Sequence, residues 1–488
     1  MIKNKIVKGF FWNIAGVFGH GVGYIIITII LSRLLPPSDF GLIALLLVFS
    51  NISNVLVDGG FGQAIIRDKS ISNDKLSSVF VFNVGIAATV YCILYFCSPV
   101  LCRFYNISEH LWETRVLFLI VVFEASALIQ KTLLVKAMDF RWLTCAQCVA
   151  TLIAGILSIA IAFMGGGSWS LVCYYLSFSL LQSVLLWCKR CEWKPTFRFH
   201  FAGIRQYMKF SINLLMTTFV DRIMGSLESV FIGKIYTKSD LAFFSRARDL
   251  DSWTGHKLID VVIKVTYPAL AQERDDREAF NRSYRNIMGI TVFTNTFIMT
   301  FLIVAASNII ETLWGKAWLE SETYVLPWCL FGIVFPFQSI CINIFQAYGR
   351  TDQYLYISIA RQFLRITAIL LFAHISIISM TWAIISVAVF GTAIVLYYAS
   401  KLINTNALHL LWDSKTTIIA AALSGIFTWG IGKFFHEYTA VLVLFIQGTT
   451  MLLCYYVLNA LLKNPFLELM QKQIITPSFK KITALLRQ

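Results

Sequence analysis

Once the connections between apolar runs are counted, nine lysines and arginines remain inside the runs of this chain: Arg222, Lys234, Arg246, Arg248, Lys257, Lys264, Arg361, Arg365 and Lys433. Ionisable groups in such surroundings are expensive, and by default they mark a pathway for something polar. The densest group steps by three or four residues along one run: Arg246, Asp249, Trp253, His256, Asp260 and Lys264 share a helical face. Ser358, Arg361 and Arg365 form a second stripe, and Thr217, Asp221, Gly225 and Glu228 a third. The three runs carry eight bases against the five acids Asp221, Glu228, Asp249, Asp251 and Asp260. The surplus cations point to an anionic ligand, because buried unpaired charge needs compensation. Arg361 and Arg365 are one turn apart and can reach a common anion. Arg246 and Lys264 are about 27 Å apart along one helix and would serve successive positions on a path. The competing reading is that these charges pair only with one another and stitch helices together.

A fourth stripe, Asn51, Asn54 and Asp58, lies near the start of the chain. With Asp221, Glu228, Asp249 and Asp260 it completes the candidates for ion coupling or cavity lining. Other polar residues have plainer readings. Glu124 reads as a helix–helix hydrogen-bonding group and His20 as a packed residue. Lys234 and Lys433 lie near run ends, where long side chains snorkel. The glycines at 9, 16, 19, 21 and 23 suit close helix packing, with a hinge as the alternative. Cys145 and Cys148, with Cys188 and Cys191, have the spacing of thiolate pairs, but they sit on separate helices and read as small apolar residues rather than metal ligands. No metal or cofactor is expected.

The elements that must hold these residues are membrane helices. Of 488 residues, 58% are hydrophobic and 14% charged, and the mean hydropathy is +0.71. A soluble protein of this length needs more charge. Spanning a bilayer takes roughly 20 apolar residues, and fourteen such runs can be drawn: 10–32, 41–57, 79–102, 115–134, 143–164, 169–188, 210–235, 241–270, 287–314, 325–347, 355–373, 380–400, 416–435 and 440–462. Alternate connections hold about 27 and about 5 basic residues, which by the positive-inside rule puts both termini in the cytoplasm. The same rule explains the net charge of +15 without nucleic acid. The basic N-terminus followed by an uncleaved apolar run reads as a retained first span.

The expectation is an all-α polytopic membrane protein with a weak internal repeat. Ser32-Arg33-Leu34-Leu35-Pro36-Pro37-Ser38-Asp39 recurs in outline as Gly233-Lys234-Ile235-Tyr236-Thr237-Lys238-Ser239-Asp240. A parallel repeat suggests two six-helix lobes, 1–205 and 206–405, with residues 406–488 adding two helices and a cytoplasmic tail. There is no phosphate-binding glycine loop, metalloprotease motif or nucleophile elbow. No loop is long enough for the external catalytic domain of a membrane glycosyltransferase or polymerase. A transporter without ATPase parts must draw on Na+, H+, the membrane potential or removal of product.

Ser32 through Phe40-Gly41, then Gly59-Gly60-Phe61-Gly62-Gln63-Ala64, resemble the opening of the bacterial polysaccharide transporters called Wzx or O-antigen flippases. Further matches are Phe244-Ser245-Arg246-Ala247, Tyr267-Pro268-Ala269-Leu270, Leu313-Trp314-Gly315-Lys316-Ala317-Trp318 and Ala347-Tyr348-Gly349-Arg350-Thr351-Asp352. They run in the expected order from roughly residue 5 to 400; Ala242 stands where these proteins often have glycine. The resemblance implies the fold of the multidrug/oligosaccharidyl-lipid/polysaccharide (MOP) exporters and alternating access. It implies an undecaprenyl-diphosphate-linked oligosaccharide carried from the cytoplasmic to the outer leaflet of the inner membrane. Arg246, Lys264, Arg361 and Arg365 would then hold the diphosphate. Membrane lipids, a polysaccharide polymerase and a chain-length regulator are the partners that follow. A lipid II flippase of the MurJ kind shares the helix count, and a drug–cation antiporter of the same superfamily is the third reading.

Overall fold

The computed structural model describes residues 2–68, 72–189, 193–196, 201–257, 259, 262–263, 266, 270, 273, 275–406 and 411–471. Within its helices the side chains of 2–11, 13–15, 17–18, 67, 201–211, 213–214, 217 and 351 are not described. Everything described is helix or connection, and 11 helices among these residues are long and apolar enough to cross a membrane. Their outer faces are apolar too: Phe96, Ile156, Phe363 and Phe445 are all exposed. A surface that water would reject is one that lipid tails accept.

Helix packing divides the chain into two units, Met1–Ala242 and Phe243–Gln488. In the first, α1 (Ile2–Leu34), α2 (Pro37–Asp58), α3 (Phe61–Arg67) and α4 (Asn73–Phe104) are followed by α5 (Leu111–Leu117), α6 (Ile120–Lys136), α7 (Phe140–Phe163), α8 (Ser168–Cys188) and α9 (Phe201–Ile235). Helix α9 packs on α2, α3 and α4, so the packing boundary falls after it, whereas the sequence repeat puts a lobe boundary before it.

Small residues set the closest approach in this unit. A Cβ on Gly16 would stand 2.5 Å from Thr144 Oγ1, and one on Gly19 would stand 3.0 Å from Cys148 Sγ, so α1 lies directly on α7. Thr144 Oγ1 donates to the Trp12 carbonyl across the same contact. Gly21, with nothing within 4 Å of that position, is not part of it. Lipid offers no hydrophobic drive between helices, so close backbone approach is what holds such a pair.

The motif between α1 and α2 has a local cause. Proline at the first helical position of α2 has its φ already set for a helix, and Gly59 (φ 55°) and Gly60 (φ 76°) end it in the left-handed region. A Cβ on Gly41 would run into the carbonyl oxygen of Lys238, which opens α10 (Lys238–Asp251). The repeated Ser-Asp caps that turn: Asp240 Oδ2 accepts from the backbone N–H and the hydroxyl of Thr237, at 3.0 and 2.7 Å.

The second unit continues from α10 into a π-helical turn, Ser252–His256. It then contains α11 (Arg277–Val304), α12 (Ala306–Trp314), α13 (Glu322–Ala347), α14 (Thr351–Phe372), α15 (Ile377–Leu402), α16 (Lys415–Phe434), α17 (Ala440–Leu461) and α18 (Pro465–Met470). Its core is aromatic and aliphatic, with Phe280, Tyr284 and Met288 of α11 against Phe337, Ile340 and Ile344 of α13. The run drawn as one span over 287–314 is two helices. It breaks at Ala305 and stops at Gly315, whose φ of 93° a residue with a side chain rarely adopts. Spans expected at 143–164, 169–188, 416–435 and 440–462 coincide with helices to within about three residues.

Candidate functional site

The first unit contains a cavity of about 530 Å³ among α1, α2, α6, α7, α8 and α9. Helical spacing brings Asn51, Asn54 and Asp58 of α2 to its wall. Two turns of α6 add Glu124 and Lys131, residues seven apart on one face, and α9 adds Arg222. Asn54 lies within hydrogen-bonding reach of the Glu124 carboxyl, and Lys131 bears on both Glu124 and Asp58. The Asp58 carboxyl also faces the backbone N–H of Gly62, at the start of α3. His20 closes the wall on α1: its Nδ1 lies 2.7 Å from Thr151 Oγ1, and its ring stacks on Phe178 at 5.1 Å between centroids.

The wall thus holds two carboxylates, two cations, a histidine and the amides of Gln63, Gln147 and Gln182 as well as the two asparagines. Charges of both signs share the wall, and amides both donate and accept. An uncharged, hydroxyl-rich ligand suits such a wall. Glu124, Lys131, His20 and the three glutamines were not among the sequence candidates. The signal in the sequence is the seven-residue spacing Glu124–Lys131, which is faint because Glu124 is the only acid in its run.

A second cavity, about 370 Å³, belongs to the second unit. It lies between α14 and α15, and Arg361 is the charged residue in a wall otherwise made of residues such as Tyr356, Leu364, Phe390 and Tyr398. Gly391 makes room for it: a Cβ there would stand 2.8 Å from Arg361 Cδ. Arg361 Nη1 is buried and has no hydrogen-bond partner among the described residues. A guanidinium held in an apolar groove with an unused N–H is suited to a phosphate oxygen. Arg365, one turn along, does not line this cavity.

The other candidates are dispersed. Arg246 is 4% exposed, and its guanidinium sits over the rings of Trp314 and Trp318 at 5.3 and 5.0 Å. Asp249 lies among Arg246, Arg248 and Lys257. Asp221 is exposed, whereas Glu228, two turns along the same helix, is fully buried. Lys264, Asp260 and Cys191 lie outside the described residues, as does the side chain of Thr217. Within α10 and the turn after it, the π-helical step breaks the stripe drawn through Asp249, Trp253 and His256. The carboxylate that meets His256 is Asp251, with Nδ1 to Oδ2 at 3.2 Å.

The family profile described as "Polysaccharide biosynthesis protein" matches residues 30–323, more than half of the chain. The chain is 21% identical over 387 residues to "Teichuronic acid biosynthesis protein TuaB" of Bacillus subtilis (strain 168), covering 78% of this chain and 79% of that protein. It is also 21% identical over 372 residues to "Lipopolysaccharide biosynthesis protein WzxC" of Escherichia coli (strain K12), covering 76% and 75%. Among solved structures it is similar to "Lipid II flippase MurJ, inward closed conformation", with a TM-score of 0.67 at 15% identity, over 93% of this chain and 98% of that one.

Proposed function

The chain belongs to the polysaccharide biosynthesis protein family and has the fold of the MOP exporters; from that premise we propose that it is a flippase for a lipid-linked oligosaccharide. The cargo is a glycan on undecaprenyl diphosphate, moved by alternating access from the cytoplasmic to the outer leaflet of the inner membrane. Both termini lie in the cytoplasm. A polymerase and a chain-length regulator would use the product on the far side.

The observation that carries this reading is the mixed polar cavity of the first unit, in a helical body whose exterior is apolar. Carboxylates, amides and an aromatic face are the groups that bind sugar hydroxyls and ring faces. A drug cation asks instead for a wall with excess negative charge, and Lys131 with Arg222 offsets Asp58 and Glu124. Arg361 is the phosphate ligand in the second unit, and Arg365, Arg246 and Lys264 remain the further cationic candidates. With no ATP-binding loop in the sequence, transport draws on an ion gradient or on removal of product.

The test is deletion of the gene followed by analysis of lipid-linked sugars on the two faces of the membrane. Accumulation of an undecaprenyl-diphosphate glycan on the cytoplasmic face, with loss of surface polysaccharide, is the expected result. Unchanged surface polysaccharide together with rescue of a lipid II flippase depletion strain would replace this reading with the peptidoglycan one.

A further inference from the structure

A second polar cluster lies in the interior of the second unit, apart from both cavities. Asp251, at the end of α10, is 1% exposed. Its Oδ2 is 3.2 Å from His256 Nδ1, while Oδ1 has no hydrogen-bond partner among the described residues. Asn295 of α11 is fully buried as well. Its amide nitrogen donates to the Gly332 carbonyl at 2.6 Å, which fixes the amide orientation and leaves Oδ1 unpartnered. Both orphan oxygens border Gly255: a Cβ there would stand 3.1 Å from Asn295 Oδ1 and 3.5 Å from Asp251 Oδ1. Two buried acceptors facing one spot with no donor between them are costly.

Three things could supply the missing positive partner: a basic side chain, a metal cation or a proton. No lysine or arginine among the described residues forms an ion pair with Asp251. The groups facing it are His256 on its own strand of helix, Asn295 and Met299 on α11, and Cys329 and Gly332 on α13. Arg248, Asp249 and Lys257 are its charged neighbours along the same stretch of chain. A hard cation asks for a cage of oxygens, whereas the atom nearest this spot is the methyl carbon of Met299. A proton on the carboxyl needs one acceptor, and Asn295 Oδ1 borders the same glycine as Asp251 Oδ1.

We infer that Asp251 and His256 form a proton-loading site in the second unit, with Asn295 receiving the hydrogen bond of the neutral carboxyl. His256 is the entry. Its side chain is 28% exposed, and its ring packs against Phe335 at 3.8 Å, which holds Nδ1 toward Asp251. A proton taken from water on the imidazole passes from Nδ1 to the carboxylate. The N–H bond breaks as the O–H bond forms, and both side chains end neutral. The π-helical turn is what makes the pair, because it sets residues five apart on one face. The site needs no assumption about the cargo.

The experiment is an infrared pH titration of the purified full-length protein in lipid nanodiscs. In the wild type, lowering pH should raise a protonated-carboxyl C=O band that Asp251→Asn lacks and Asp249→Asn keeps. His256→Gln should retain the band and move its midpoint. Exchanging sodium chloride for choline chloride at fixed pH should leave it unchanged. An identical band in Asp251→Asn would overturn the inference, and so would displacement of the band by sodium. Should Asp251→Asn fail to fold, Asn295→Leu replaces it: the band should shift in frequency when its acceptor is removed, and an unshifted band counts against the site. All of these readouts concern the proton alone, so they are unaffected by failure of the flippase reading.

Discussion

The two cavities differ in what their walls can bind. The first unit's wall mixes polar with apolar residues and is nearly balanced in sign, whereas the second unit's wall is largely apolar around one guanidinium. Counting charges along the sequence weights the three runs 210–235, 241–270 and 355–373, where eight bases outnumber five acids. Position changes that weighting. Within the second unit, Arg246 faces two tryptophan rings and Asp251 a histidine, and neither lines the cavity around Arg361. Charge count tells what a helix carries; only packing tells which charges share a space.

The contrast breaks most readily at Arg361. Arg361→Ala should cut export of surface glycan by roughly 10- to 100-fold, the scale of a charge-assisted hydrogen bond. Arg361→Lys should keep part of it. The measurement is outer-surface glycan in a deletion strain at matched protein levels. Wild-type export from Arg361→Ala would leave the second cavity without a cargo role.

Gly391→Ala should act on the same group from the other side. The new methyl would meet Arg361 Cδ at 2.8 Å and push the side chain aside, costing export several-fold at about 1 kcal/mol. Expression and thermal stability should hardly change, because the clash is with a flexible chain. A variant that loses stability instead of export would show that Gly391 serves helix packing alone.

A balanced wall in the first unit predicts coupling between opposite charges. Glu124→Gln and Lys131→Gln should each reduce export by a few-fold, while the double variant should recover relative to their product, with a coupling of about 0.5–1 kcal/mol. Strict additivity would mean that the two groups act on separate parts of the ligand.

The smallest effect concerns an ion pair outside the membrane segments. Asp139, which caps α7, pairs with Lys189 at the end of α8, and that hydrogen bond holds its carboxyl below the usual range. A depressed carboxyl contributes stability above its unfolded value of about 3.9, and that contribution is lost as pH falls through the folded value. The pair is partly exposed, so the contribution is under about 1 kcal/mol. Asp139→Asn should lower the unfolding midpoint slightly at neutral pH and leave it unchanged in strong acid.

Span positions were legible because lipid imposes one strong pattern, length of apolar run, and most runs obey it. The exceptions have local causes. The span drawn over 287–314 breaks at Ala305 inside a continuous apolar stretch, and no hydropathy window registers a local change of backbone angle. The Asp251–His256 pair was hidden for a related reason: spacing of three or four assumes an α-helix, and the π-helical turn makes five the contact distance. Glu124 differs: read as a helix–helix hydrogen-bonding group, it does meet Asn54 on another helix, but reading each run by itself gave no sign that the pair faces a cavity.

Gly41 has a bearing on biogenesis. Its bare α-carbon receives the carbonyl of Lys238, about 200 residues later in the chain. The groove on α2 therefore enters the bilayer early in synthesis and stays open while α4, α6, α7, α8 and α9 are made. Only when residue 238 leaves the ribosome can the first unit close. A nascent chain stalled before that point is an inserted but unsealed bundle, and it presents to the insertion machinery and quality-control proteases a seam that the finished protein hides.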